Sequence, residues 1–463
     1  MDPLSIVVEN RMSIFQRYLE KGRLSHHPYQ KEGVKWILSN ELNEEPLHKV
    51  RGGFIADEMG LGKTIMMIGA MLCNLESKTL IVVPPALVDQ WYVQIARTTG
   101  HKPFIYKGNN KKMDTLLDSA IIVIATYNSL AVSKTKKKLS RLHRISWGRT
   151  VFDEAHHLRN SGTSNYFGAR LLRSNIRWLI SGTPIQNKKQ DFYNLCRLIR
   201  LPASYYTENE NMDSLATSFI LKRTKQQVGI QISSVFQNKK IVSWKNEREK
   251  ELAFAVHSLV QFKKTEDMAK FALSSKLADL LKARQVCILP RLLSKKIQQP
   301  NLGKDEINGF TSKLDCVVGK ILERKGNGCG KLVFCHFREE IDEVAIRLKK
   351  CGLNGVATFD GRIQQVDRKK ILSEKNEALI MQIQTGCEGL NLQENFSEIY
   401  FVSPHWNPAI EEQAIARCHR IGQTKDVYVE RFEMSDFEDD KINIEKYMFM
   451  KQSDKKEIAN EIL

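Results

Sequence analysis

No apolar run in this chain approaches the roughly 20 residues that a membrane-spanning helix needs. The best are short, such as AIIVIA at 120–125. The opening stretch, MDPLSIVVENRM, has neither the basic lead nor the long apolar segment of a secretory signal. Cysteine is sparse, with 9 in 463 residues, and no two form a CxxC pair. The odd count and the spacing exclude a disulfide framework and a zinc ribbon or RING-type module. Cys329, Cys335 and His336 lie close together but read as small buried residues in or near a strand. Internal repeats and long low-complexity linkers are also missing. These absences lead to the expectation of a soluble, intracellular protein with no membrane partner and no zinc.

What is present is a long, basic, apolar-rich chain. At 463 residues and 42% hydrophobic, it can bury large cores, and its length suggests roughly two to three domains. Lysine and arginine number 71 against 53 acids, giving a formal net charge of +18. A polyanionic partner, nucleic acid first, is the expectation from that balance. Basic clusters stand at KGNNKK (107–112) and KTKKKLSRLHR (134–144).

Short apolar runs alternate with helical patterns, twice over. The first half has GGFIAD (52–57), TLIVVPP (79–85), AIIVIATY (120–127), RTVFDE (149–154) and IRWLISGTP (176–184). The second has GKLVFCHF (330–337), GVATFDG (355–361), EALIMQIQTG (377–386), EIYFVSP (398–404) and VYVERF (427–432). After Thr64, the residues Ile65, Ile68, Met71, Leu72 and Leu75 recur at helical spacing. Near-continuous apolar strands separated by helices imply parallel sheets covered on both faces. The expectation is two α/β lobes. The rhythm stops between about 187 and 330, where 247–297 reads as mostly helical, and the tail after 433 ends in a surface helix.

Four motifs carry chemistry. DEMGLGKT at 57–64 runs from a strand into a glycine-containing loop and then a helix, the order that a phosphate-binding loop requires. Gly60 and Gly62 allow positive φ and close approach of backbone N–H groups to phosphates. Lys63 supplies a cation to the β- and γ-phosphates, and the Thr64 hydroxyl can hold Mg²⁺. The usual first glycine of such a loop is here Asp57, which is expected to fix the loop by bonding local backbone N–H groups. In VFDEAHHL (151–158), apolar residues end in two adjacent carboxylates. Asp153 suits the Mg²⁺ shell, and Glu154 is placed to activate water. His156 is a candidate link from nucleotide to the next motif. In SGTPIQN (181–187), Ser181 and Thr183 could bond the Asp153/His156 region. In QAIARCHRIGQ (413–423), Arg417 and Arg420 are three apart and are expected on one helix face, where guanidinium groups can clamp a γ-phosphoryl group.

Together, these motifs resemble the superfamily-two helicase-like ATPases, and more narrowly the SWI/SNF-type DNA translocases. The resemblance runs from about 24 to 450. LSHHPYQKEGVKWIL (24–38) resembles the start of the family motor, and DEMGLGKT is the family's form of motif I. LIVVPPALVDQW (80–91), ATYNSL (125–130), FILKRTKQQV (219–228), ARQVCILP (283–290), KLVFCHF (331–337), FDGR (359–362) and QTGCEGLNLQ (384–393) are similar to further landmarks. HWNPAIEEQAIARCHRIGQTKDVYVERF (405–432) resembles motif VI with its flanks. Departures are Gln384 and Cys387-Glu388 in motif V, and Ala416 where the family usually has aspartate.

The resemblance implies two RecA-like lobes with helical insertions. Residues 1–235 would form the N-terminal ATP-binding lobe, with an insertion near 190–235. Residues 236–463 would form the C-terminal lobe, with an insertion near 247–300 and a C-terminal helix. It implies ATP and Mg²⁺ as cofactors. Gln30 would read adenine, and Gly389 would join Arg417 and Arg420 at the nucleotide. Double-stranded DNA would be held mainly by its phosphates, at Pro85, Trp91, Thr126, Asn128 and Asn160 in the first lobe and Thr385, Asn391 and Trp406 in the second. The implied activity is an ATP-dependent duplex DNA translocase that remodels or displaces DNA-bound protein, a nucleosome among the possible targets, without strand separation. A strand-separating DNA or RNA helicase and an inactive nucleotide-gated scaffold are the alternatives. No bromodomain, chromodomain or RING appendage is visible, and compact motors of this type imply a nucleus in a cellular eukaryote, or otherwise a viral or cytoplasmic setting.

Overall fold

The computed structural model describes residues 2–108, 111–135, 138–182, 188–260, 277–293, 304–386, 390–437 and 442–462. The chain divides into two units, Met1–Gln231 with Glu457–Leu463, and Ile232–Lys456. Each is an α/β body on a wholly parallel sheet. The first sheet contains β1 (Arg51–Ile55), β2 (Thr79–Val83), β3 (Phe104–Ile105), β4 (Ile122–Thr126), β5 (Ser146–Asp153), β6 (Arg173–Ile180) and β7 (Ile220–Leu221). Their spatial order is β3-β4-β2-β5-β6-β1-β7. The second contains β8 (Val235–Val242), β9 (Gly330–Cys335), β10 (Val356–Phe359), β11 (Ala378–Gln382), β12 (Phe396–Phe401) and β13 (Val427–Met434), in the order β10-β11-β9-β12-β13-β8.

Successive strand residues point to opposite faces, so each sheet feeds two cores. In β2, Leu80 and Val82 enter one core, and Ile81 and Val83 the other. In β9, Val333 and Cys335 pack on one side, and Leu332 and Phe334 on the other. That double burial is why these strands read as unbroken apolar runs. All ten runs become strands. Three strands lack that signal. β3 and β7 are two residues each, and β8 (VFQNKKIV) is an edge strand exposed along most of its length. The described parts of 247–297 are helical, at Glu247–Ser258 and Leu277–Ile288. Among the described residues, no helix is long and apolar enough to cross a membrane.

A buried ion pair ties the helix Pro28–Leu42 to the first sheet. The Arg149 guanidinium on β5 donates to both Glu41 carboxylate oxygens, Nε to Oε1 at 2.6 Å. Trp178 Nε1 on β6 donates to Oε1 at 2.8 Å, and Asn74 Nδ2 to Oε2 at 2.8 Å. Both charged side chains are fully buried.

Candidate functional site

β5, β6 and β1 lie side by side and end level, with Ile55 beside Ile180 and Ile180 beside Asp153. Parallel strands all point one way, so the loop after β1, the carboxylates after β5 and Ser181 after β6 share one edge of the sheet. Ligands of open α/β sheets bind beyond this carboxyl edge. The three motifs are far apart in sequence, and the strand order brings them together.

The loop after β1 turns through Gly60 at φ 93° and Gly62 at φ 78°, the left-handed region that glycine enters without strain. Gly62 caps the helix Lys63–Cys73. A Cβ on Gly62 would stand 2.4 Å from Gln30 Nε2, so glycine is also required for the close approach of that side chain. Gln30 is buried over the loop. Its Nε2 donates to the Leu61 carbonyl at 3.3 Å, and its Oε1 has no partner among the described residues. Lys63 Nζ donates to the carbonyls of Asp57 at 2.7 Å and Glu58 at 3.2 Å. Desolvation lowers its pKa, opposed by the carboxylates of Glu154, Asp57 and Asp153. Thr64 follows in the first helical turn.

Asp57 does not bond local N–H groups as expected. Its carboxylate is fully buried and accepts two bonds from Arg223, Nε to Oδ1 at 3.1 Å and Nη2 to Oδ2 at 2.6 Å. Arg223 Nη1 also donates to the Tyr29 carbonyl at 2.6 Å, and the guanidinium lies 5.5 Å from the Tyr29 ring centroid. One arginine therefore holds both the phosphate-loop aspartate and the residue before Gln30. The neighbouring contacts repeat the pattern. Ala56 N donates to Leu221 O at 2.7 Å, Glu58 N to Arg223 O at 2.9 Å, and Lys225 Nζ pairs with Glu58 at 2.8 Å. FILKRTKQQV is thus the wall of the loop. Arg223 was not among the expected site residues. Its only sequence signal was that an acid at a buried strand end needs a cation, and nothing local says which.

Asp153 is nearly buried. Its Oδ2 accepts from Trp91 Nε1 at 2.7 Å, and its Oδ1 from the Glu154 N–H at 3.0 Å. Burial first, and then the adjacent Glu154 charge, push the Asp153 carboxyl up to about 7, against the pull of the Trp91 bond, the Glu154 N–H and Lys63. Glu154 sits at φ 51°, ψ 50°. A non-glycine residue there carries roughly 1–2 kcal/mol of backbone strain. Its carboxylate meets His156 Nδ1 at 3.3 Å, and the same nitrogen lies 3.5 Å from Ser181 Oγ. His156 stacks on His157 at 4.7 Å between ring centroids. The expected link between Ser181 and the His156 region is present. Thr183 lies outside the described residues.

Trp91 must be withdrawn from the expected DNA contacts. It is 1% exposed, packed in the core under the sheet, with its one polar atom committed to Asp153. Pro85, Asn128 and Asn160 are exposed and Thr126 is half-buried.

In the second unit, the helix Pro408–Ile415 stops before the two arginines, so Arg417 and Arg420 lie in the turns that follow and not on a helix face. Buried Cys418 and the Gln423 amide, which donates to the carbonyls of Gln393 at 2.9 Å and Phe396 at 3.0 Å, hold that turn against the 390–396 segment. Leu392 N donates to the Arg417 carbonyl at 3.1 Å, and Arg420 Nη1 donates to Asn391 Oδ1. Desolvation and the nearby Arg417 charge lower the Arg420 pKa. Arg417 Nε is buried and has no partner among the described residues. Gly389 lies outside the described residues, as do Cys387 and Glu388. Thr385 Oγ1 donates to Gln382 at 3.4 Å. Trp406 is half-buried against Tyr447 at 6.1 Å, which leaves only part of its ring for any other contact.

Known proteins share this chain's layout. Residues 29–292 match the SNF2-related domain, and 312–422 match the helicase conserved C-terminal domain. The chain is 28% identical to the "Probable global transactivator" of Orgyia pseudotsugata multicapsid polyhedrosis virus, across 94% of this chain and 90% of that one. It is 26% identical to the "ISWI chromatin-remodeling complex ATPase ISW2" of Saccharomyces cerevisiae, across 90% of this chain but 39% of that protein. Against the solved Sulfolobus solfataricus SWI2/SNF2 ATPase core in complex with dsDNA, 89% of this chain and 88% of that one align, at 22% identity and a TM-score of 0.41. The match covers more than half the chain and contains the loop after β1, the paired carboxylates and Ser181. The chain belongs to the SNF2-related family of ATP-dependent, helicase-like ATPases.

Proposed function

We propose that this protein hydrolyses ATP to move along double-stranded DNA, displacing or remodelling proteins bound there without separating the strands. The observation that carries this reading is the level ending of β1, β6 and β5, which puts Lys63 and Thr64, Ser181, and Asp153 with Glu154 on one edge. Gln30 is assigned to the adenine, because its buried Oε1 awaits a donor such as a purine amino group. Gly60, Gly62 and Lys63 cradle the phosphates, and Asp57 with Arg223 holds their loop. The hydroxyl of Thr64 and the carboxylate of Asp153 would hold Mg²⁺, a hard cation that oxygen donors of this kind suit. A cation there would favour the ionised form of Asp153, against the burial that raises its carboxyl. When bound, Mg²⁺ supplies neutralisation of phosphate charge. Glu154 orients and deprotonates the attacking water, with His156 holding its carboxylate. Arg417 and Arg420 are assigned to the γ-phosphoryl group, and Gly389 to the nucleotide.

Duplex DNA is assigned to exposed Pro85, Asn128 and Asn160 with half-buried Thr126 in the first unit, and to exposed Asn391, half-buried Thr385 and the open part of Trp406 in the second. The formal charge of +18 favours a polyanion. Phosphate contacts position a protein without reading bases, so binding is expected to be independent of sequence. The first test is the rate of phosphate release with duplex DNA, single-stranded DNA or RNA added. Duplex should stimulate most; no stimulation overturns the reading. The second is displacement of the third strand from a triplex by wild type and Glu154→Gln. Wild type should displace it and the variant should not. Release of single strands from plain duplex would favour a strand-separating helicase instead.

A further inference from the structure

The carboxyl edge of the first sheet has a second half. Beyond β5 lie β2 and β4, whose ends are also level, with Val83 beside Thr126. Their loops carry the exposed Pro85 and Asn128. Two aromatic side chains run from this half into the catalytic half. Trp91 sits on the helix Val88–Thr99, which begins directly after the Pro85–Leu87 turn, and its indole N–H donates to Asp153 Oδ2 at 2.7 Å. Tyr127 directly follows Thr126, and its hydroxyl donates to the Asp153 main-chain carbonyl at 2.6 Å. Since β2 stands between β4 and β5, that bond spans two strand spacings, roughly 10 Å.

The carbonyl that Tyr127 grips belongs to the peptide joining Asp153 to Glu154. The N–H of the same peptide donates to Asp153 Oδ1 at 3.0 Å. That peptide plane is therefore held at both ends, immediately before a residue kept at φ 51°. A residue in this region persists only where its surroundings over-determine it. The Tyr127 ring also packs 5.3 Å from His157, which stacks on His156, which contacts the Glu154 carboxylate. Both the backbone and the side chain of Glu154 thus rest on Tyr127, and the Asp153 carboxylate rests on Trp91. Both aromatics are buried, so their polar atoms have no water to turn to.

We infer that Tyr127 and Trp91 are positioning residues that couple occupancy of the β2 and β4 loops to the geometry of Asp153 and Glu154. A ligand that shifts the Thr126–Leu130 turn moves the Tyr127 hydroxyl, tilts the 153–154 peptide and re-aims the Glu154 carboxylate. This rests on the reading that duplex DNA lies on those loops. The contact of a polymer with one half of the edge would then set the water-activating group on the other.

Tyr127→Phe and Trp91→Phe remove only the two donors. Both variants and wild type are compared for ATPase kcat with and without saturating duplex, for duplex Kd, for ATP KM and for melting temperature. Expected is a fall of tenfold or more in the stimulation ratio, at a kcat level, with duplex Kd and ATP KM within twofold of wild type and cooperative melting retained. Tyr127→Phe keeps the ring and its packing, so it separates the lost bond from lost structure. A wild-type stimulation ratio in both variants, whatever their absolute rates, overturns the coupling while leaving the proposed function standing. A wild type that duplex does not stimulate overturns both together.

Discussion

Asp57 shows what one side chain can settle at the residue scale. As a letter it replaces a glycine in a phosphate loop; as an atom group it is the buried half of a bidentate ion pair with Arg223. Such forked pairs are short, directional and hard for lysine to copy. Arg223→Lys should therefore raise the Kd for ATP about tenfold, the scale of one lost charge-assisted bond. Asp57→Gly should do the same while leaving the Arg223 guanidinium without its carboxylate. Binding of a fluorescent ATP analogue measures both, and unchanged affinity in either would remove the pair from the nucleotide site. Arg420 is a second such residue. It donates to a neutral asparagine and sits beside another arginine, so among the described residues no acid neutralises its charge. Arg420→Ala should lower kcat by ~10³-fold or more while ATP still binds. A near-normal kcat would end its assignment to the phosphoryl group.

Elements are joined by buried polar groups in both units. Glu41 and Arg149 fasten a helix to two strands, and the Glu41 carboxylate also accepts from Trp178 and Asn74. Removing one member of such a pair strands the other in the core, at a cost of about 3–5 kcal/mol. Glu41→Ala should lower the unfolding free energy of the first unit by that amount in denaturant titrations, and a loss below about 1 kcal/mol would contradict the buried network. In the second unit, Glu340 caps the helix Arg338–Lys350, accepting from His336 N at 2.8 Å and Phe337 N at 2.9 Å. Burial raises its carboxyl from 4.5 to about 7, against the pull of those N–H groups and the charges of Arg284 and Lys313. A folded pKa above the unfolded one means that its stabilising contribution is full below pH 4.5 and is lost as pH rises through about 7. Melting temperature should therefore decline between pH 5 and 8. Glu340→Gln, which keeps the cap acceptor, should flatten that decline, and an identical profile would count against it.

For the whole molecule, charge and layout set the behaviour. If a chain of +18 holds duplex by its phosphates, as proposed, binding releases counterions and log K for duplex should fall linearly with log salt. The expected loss is about tenfold or more between 50 and 200 mM, with the same slope for unrelated sequences. A flat plot, or a slope that depends on sequence, would argue for base reading. The chain nearly fills its viral relative but covers only 39% of the yeast one, so activities of that larger protein do not transfer by likeness alone.

Much of this was legible from the chain itself. Ten strands announced themselves because strands buried on both faces must be apolar throughout, and the loop glycines and paired carboxylates stood out because the chemistry proposed for them needs such groups in local order. β8 stayed hidden because an edge strand with exposed lysines carries no such run. The end of the helix before Arg417 stayed hidden because periodicity cannot see the Gln423 bonds that hold the following turn. Local order is what a sequence determines: the elements, the loop glycines at positive φ, and the paired carboxylates. Which distant groups meet was decided by the tertiary structure alone. The order β4-β2-β5-β6-β1-β7 aligned three separated motifs, handed Asp57 to Arg223 just after β7, and turned Trp91 from an expected DNA contact into a donor to Asp153. A buried carboxylate takes whichever donor the packing delivers, and packing is a property of the sheet, not of the neighbouring letters.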